Sequence, residues 1–188
     1  MRLQETVHFI TVKKRRRASS IKKIAILVEN LYDDRELLYP YYRLQEEGFT
    51  VELVGPEQNR IFKSKNGVPV RSDRASADVT ADDYDALVVP GGFSPDYMRR
   101  TKATLEFTKA MHDSGKTIAA ICHAPWLLIS SIDLSGRKLA GFHTLKVDIE
   151  NAGATYVDEE VVTDGNLITS RTPKDLPAFA KAVIQALR

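Results

Sequence analysis

The 188-residue chain is 43% hydrophobic and 28% charged, carries a net charge of +2 and contains one cysteine. That length and composition describe one globular domain able to bury a sizeable core, and no apolar run approaches the roughly 20 residues that a membrane-spanning helix needs. A lone cysteine excludes an internal disulfide and suits a reducing compartment, so a cytoplasmic protein is expected.

The positive charge is local. The first 23 residues hold eight of the 27 Lys and Arg and one of the 25 Asp and Glu, leaving 19 basic against 24 acidic residues, a net of −5, in the rest. Residues 1–22 therefore read as a basic N-terminal extension, with VHFITV followed by KKRRR, and residues 23–188 as a single domain. A secretory signal would place its charges before a longer apolar core. A run of this kind is most simply a solvated extension, and nucleic-acid binding is not expected of the acidic body.

From Lys23, IAILV is a buried strand, followed by the polar loop ENLYDD and a helix from about Asp34 to Glu47 that Gly48 stops. Phe49–Val54 is the next strand, which completes a β-α-β unit. Residues 60–71 carry Asn66-Gly67 between alternating segments, a hairpin signal. Asp85–Val89 is a further parallel strand ending in Pro90-Gly91-Gly92, and Thr104–Ser114 an amphipathic helix. A short strand is expected near Lys138–Ala140 and a helix near Lys146–Asn151. EVVTDGNLITS turns at Asp164-Gly165-Asn166 as a second hairpin, and a helix over Asp175–Arg188 closes the domain. This alternation predicts an α/β fold, doubly wound and flavodoxin-like, with a mostly parallel sheet sandwiched by helices.

The chemistry centres on Thr117–Ser131, TIAAICHAPWLLISS. TIAAI is a buried strand, and Pro125 suits the first turn of a helix that runs to about Ser131. Cys122 stands where strand becomes helix, flanked by Ala120 and Ala124, the small-x-nucleophile-x-small pattern of a nucleophile elbow. Helix N–H groups beyond it favour a thiolate, so Cys122 is expected to titrate below the ~8.5 of a free thiol. An inert core cysteine is the common alternative. The strand-end position and the adjacent His123 weigh against it.

At these residues the chain resembles the PfpI/ThiJ family of intracellular cysteine hydrolases, in the class I glutamine amidotransferase-like superfamily. AICHAP, the VVPGG of residues 88–92, the DDRELLYPYYRLQEEG of residues 33–48 and the closing NAGATYVDEEVVTDGNLITSRTPKDLPAF carry the likeness, which spans about Lys23 to Arg188. Cys122 is then the nucleophile. Glu36, at the head of the first helix, matches a family position whose protonated carboxyl donates to the sulfur, although the residues alone read equally well as a helix-start glutamate. The backbone N–H groups of Gly92 and His123 would form the oxyanion hole. The resemblance further implies that Asp96, in GGFSPDY, orients His123 from a neighbouring subunit, where the family often has glutamate. Ala124-Pro125-Trp126 replaces the usual Gly-Pro-Gln, which puts Trp126 near the mouth of the pocket.

The expected activity is that of a cysteine hydrolase, either an intracellular peptidase or amidase or a glyoxalase or deglycase acting on methylglyoxal adducts, in stress protection. Its substrate would be a small carbonyl adduct or a peptide, and its assembly a homo-oligomer, dimer or hexamer. The alternative from another class is a redox-sensing stress protein or chaperone working through oxidation of Cys122. No cofactor is expected. One cysteine and four scattered histidines give no zinc set, and His8, His112 and His143 read as surface or packing residues.

Overall fold

The computed structural model describes residues 21–188, so the basic extension lies, but for its last two positions, outside the described residues. In chain order the elements are β1 (Lys23–Leu27), α1 (Asp34–Glu46), β2 (Thr50–Gly55), β3 (Ile61–Lys63), β4 (Pro69–Arg71), β5 (Arg74–Ala75), β6 (Ala86–Val89), α2 (Ser94–Met98), α3 (Lys102–Asp113) and β7 (Thr117–Ile121). There follow α4 (Pro125–Ser131), β8 (Lys138–Leu139), α5 (Lys146–Asn151), β9 (Thr155–Tyr156), β10 (Val161–Asp164), β11 (Leu167–Ser170) and α6 (Leu176–Leu187).

Seven strands form one sheet in the order β10-β11-β7-β6-β1-β2-β5, all parallel except for the β10–β11 hairpin. Strand side chains alternate between its two faces. Ile24 and Ile26 of β1 pack with Leu37 and Leu44 of α1 and Phe179 and Val183 of α6. Ala25 and Leu27 pack instead with Phe107 and Met111 of α3 and Leu127 and Leu128 of α4. Beyond their first residues, Lys23 and Thr117, strands β1 and β7 are therefore apolar at every position, as is β6, and burying each of these large side chains contributes about 1.5–3 kcal/mol. This is the doubly wound α/β fold expected from the sequence.

Three elements had no sequence signal. β5 and β9 are two residues each, too short to show a period, and α2 is a five-residue helix opened by Ser94-Pro95 where the Gly-Gly turn suggested a loop. Asp96 consequently sits in the first turn of a helix.

The winding reverses between β1 and its neighbour β6. From β1 the chain moves outward to β2, whereas β6 leads the other way to β7. The loops at the C-terminal ends of β1, β6 and β7 therefore meet at one crevice, where an open α/β sheet offers its ligand site.

Candidate active site

Cys122 follows β7 directly and adopts φ +62°, a left-handed conformation that a non-glycine residue avoids. Several hydrogen bonds hold it there. Its N–H donates to the Ser170 carbonyl at 3.0 Å, its carbonyl accepts from the Phe142 N–H at 2.8 Å, and Ala124 N–H closes the turn on Ile121 at 3.0 Å. Ala120 and Ala124 are fully buried, which explains the small residues on either flank of the elbow. The sulfur residue itself is 8% exposed, at the floor of a cleft of about 410 Å³ walled in part by His123, Glu36, Gly92, Phe93 and Phe142.

Glu36 reaches this floor from the first turn of α1. That helix is set by Asp33, whose carboxylate caps it by accepting the Arg35 N–H at 3.0 Å. Glu36 is 0% exposed, and its Oε2 accepts the Gly91 N–H at 2.8 Å, while Oε1 is enclosed without a hydrogen-bond partner. Burial, reinforced by the charge of Asp33, raises its pKa from 4.5 to about 7, against the opposing pull of the Gly91 N–H and the Cys122 thiol. A carboxyl with one unpartnered buried oxygen beside a thiol is suited to carrying a proton toward the sulfur. It is not an ordinary helix-start glutamate.

Gly91 separates the two groups. A Cβ there would lie 2.5 Å from Glu36 Oε2 and 2.7 Å from Cys122 Cβ, so the approach of carboxyl and thiol depends on a missing side chain. Gly92 has φ +76°, and a Cβ on it would strike the Leu31 carbonyl at 2.4 Å. Its backbone N–H and that of His123 both face the sulfur.

The titration expected for the thiol is reversed. Burial raises the Cys122 pKa, the charge of and hydrogen bond to Glu36 raise it further, and the Gly92 and His123 N–H groups oppose this only in part. The helix beyond is seven residues long, and its end field does not outweigh desolvation. Because Glu36 and Cys122 titrate as a pair, the first proton lost belongs to both, and a thiolate beside a protonated Glu36 is one form of that singly ionised pair.

The His123 ring also departs from expectation. Neighbours along a chain commonly point apart, whereas here Nδ1 lies 3.2 Å from Sγ. The ring stacks on Phe142 at 4.8 Å and meets the edge of Trp126 at 5.0 Å. Burial, with the nearby His143 and Lys65, lowers its pKa, so it is neutral at pH 7. Among the described residues no carboxylate binds it. Asp96 is half-exposed and pairs with Arg99 of its own helix at 3.1 Å. Trp126 does not line the cleft, since its Nε1–H donates to Asp148 at 3.1 Å. His112 and His143 stand away from the sulfur, against Arg137 and Phe142 respectively, and His8 lies outside the described residues.

Leu31, Asp33, Arg35 and Lys65 also border the cleft, and none was singled out from the sequence. Leu31 shares the left-handed backbone of Cys122, with φ +65°. A larger hollow of about 790 Å³ runs alongside, between α1 and the start of α6, walled by Leu38, Tyr39, Tyr42 and Pro177. It contains no nucleophile. Among the described residues no three His, Cys, Asp or Glu side chains converge as a metal would require, and no helix is long and apolar enough to cross a membrane.

The family described as DJ-1/PfpI matches residues 22–186. The deglycase PfpI of Pyrococcus furiosus is 40% identical over 166 residues, covering 88% of this chain and 99% of its own, and general stress protein 18 of Bacillus subtilis is 42% identical over 168 residues, covering 88% and 98%. The crystal structure of an Anabaena variabilis protein with DJ-1/ThiJ/PfpI-like and ferritin-like domains superposes with a TM-score of 0.86 at 41% identity, covering 88% of this chain and about half (48%) of that longer one.

Proposed function

The chain belongs to the DJ-1/PfpI family, and from that membership and the Glu36–Cys122 pair we propose that it is a cysteine-nucleophile hydrolase of the deglycase type, releasing amines from small carbonyl adducts in stress protection. The observation that carries this is the fully buried Glu36 carboxyl beside the Cys122 thiol. Sγ attacks the adduct carbonyl carbon, forming an S–C bond and moving charge to the carbonyl oxygen, where the N–H groups of Gly92 and His123 receive it. Glu36 holds its proton against the sulfur, so attack proceeds beside a neutral carboxyl. His123, neutral and 3.2 Å from Sγ, takes the thiol proton as Sγ attacks and hands it to the nitrogen on the attacked carbon as the C–N bond breaks, and water then cleaves the S–C bond and returns the proton to sulfur.

Glycated amino acids made with methylglyoxal and fluorogenic peptides, assayed beside Cys122→Ser, test this reading. Release of the amine from the adducts, absent in the variant, is expected. Peptide cleavage alone would make the protein a peptidase. Oxidation of Cys122 to a sulfinate by peroxide with no turnover on either would favour redox sensing, since the same donors suit a sulfinate oxygen.

The site is completed, in this proposal, by Asp96 of a second subunit in a dimer or hexamer. A histidine that meets no carboxylate among the described residues of its own chain and an aspartate paired among them with Arg99 support it. Inactive Asp96→Ala chains mixed with inactive Cys122→Ser chains should regain up to about a quarter to a half of native activity through hybrid sites, as an interface between two copies allows. No recovery, despite demonstrated subunit exchange, would sink it.

A further inference from the structure

Lys65 has no part in that chemistry, yet the fold fixes its position closely. It sits at the turn of the β3–β4 hairpin, which is pinned to the loop after β1. Leu31 N–H donates to the Lys63 carbonyl at 2.8 Å, Lys65 N–H to the Tyr32 carbonyl at 3.0 Å, and the Tyr32 hydroxyl to the Val68 carbonyl at 2.6 Å. The Asp34 carboxylate accepts from Ser64 Oγ and Asn66 Nδ2 at 2.5 and 2.6 Å. With its backbone held this way, Lys65 directs its ammonium along the wall of the cysteine cleft.

Two cations share one carboxylate there. Lys65 Nζ lies 2.6 Å and Arg35 Nη2 2.9 Å from the same oxygen of Asp33, whose side chain is 4% exposed, whereas those of Lys65 and Arg35 are 44% and 64% exposed. The buried carboxylate cannot occupy all of their N–H donors, and those left over are open to solvent at the cleft. The ammonium acts on both Glu36 and His123, the two side chains flanking the sulfur. If its purpose were only to neutralise Asp33, Arg35 would suffice.

We propose that Lys65, backed by Arg35, is an anion subsite of the cleft, which selects carbonyl substrates carrying a carboxylate beside the reacting carbonyl, such as 2-oxo acids and their amine adducts. The ammonium binds the acid oxygens while Cys122 meets the carbonyl carbon. This rests on the reading of Cys122 as the nucleophile, and it names the substrate class that reading leaves open.

Iodoacetate and iodoacetamide test the subsite without any turnover. Each reacts by the same step, Sγ displacing iodide as the S–C bond forms and the C–I bond breaks, and only the first carries a carboxylate. Their rate ratio at Cys122 therefore cancels changes in thiolate content. Measured on the full chain at low ionic strength, the ratio should fall about tenfold in Lys65→Gln and stay within about twofold of native in Lys65→Arg, as expected for a charge at the mouth of a site. In the native protein it should fall as salt rises toward ~1 M, where screening reaches about 3 Å. An unchanged ratio in Lys65→Gln, a ratio insensitive to salt, or a cleft closed to both reagents would each overturn the proposal. The kcat/KM ratio of the amine adduct of glyoxylate over that of methylglyoxal should move in parallel. A protein that turns over neither adduct but shows the alkylation effect would retain the subsite and lose the hydrolase reading.

Discussion

Gly91→Ala is expected to remove turnover by about 10²-fold or more, approaching the loss from Cys122→Ser, because it pushes apart the two groups on which the site depends. Gly91 does not use the left-handed backbone that favours glycine, so space is the sole objection to a side chain. The added methyl would stand 2.5 Å from Glu36 Oε2, 2.7 Å from Cys122 Cβ and 2.9 Å from the Ile121 carbonyl, each closer than real Cβ contacts come. Either the carboxyl or the elbow must move. The Gly91 N–H bond to Glu36, 2.8 Å long, would be disturbed in the same shift. Overpacking of this kind costs about 1–3 kcal/mol of stability. The double variant Gly91→Ala, Glu36→Ala removes the nearest clash and should recover part of that stability without recovering activity. Thermal melts and kcat/KM on the same preparations check both. Gly91→Ala activity within fivefold of native would show that carboxyl and thiol need not touch.

The second large effect is on stability as a function of pH. Glu36 ionises near 4.5 when unfolded and at about 7 in the fold, so between these values the folded chain holds a proton that the unfolded chain has lost. Stability is therefore undiminished below pH ~4.5, declines as pH rises through the window and reaches its full penalty above ~7, about 3 kcal/mol. Glu36→Gln keeps an acceptor for the Gly91 N–H and donors for the sulfur but cannot ionise. Urea unfolding at pH 5 and pH 8 should show the variant gaining about 3 kcal/mol on the native protein between the two conditions. Parallel behaviour would mean that the carboxyl is not held protonated. Asp33 does not confuse the comparison. Burial works to raise its pKa but Arg35 and Lys65 hold it down to about 2, so its contribution is lost only below pH ~4, outside this window.

These effects trace how far the site can be read from the chain. The parallel strands were legible because β1, β6 and β7 are continuous apolar runs after at most one polar residue, Lys23 or Thr117, and the elbow because Ala120 and Ala124 stand symmetrically about Cys122. Glu36 was legible as a position but not as a state. Its raised pKa comes from burial, which no local pattern shows because the segments around it include Gly91 and Cys122, 55 and 86 positions away in sequence. The thiol was misjudged for a related reason, since a helix start is visible locally and desolvation is not. Lys65 escaped notice although its hairpin was found at Asn66-Gly67, because nothing local to that turn shows that it docks on residues 30–34. The five-residue helix that carries Asp96 was too short to announce itself.

Cys122 occupies a backbone conformation that resists it. A non-glycine residue at φ +62° carries a penalty on the order of 1–3 kcal/mol, which the bonds to Ser170 and Phe142 must hold in place. Glycine would fit the same turn without that penalty. Were folding the only demand on this turn, glycine would serve it better. The thiol is thus held at a backbone cost that the architecture of the turn does not itself require.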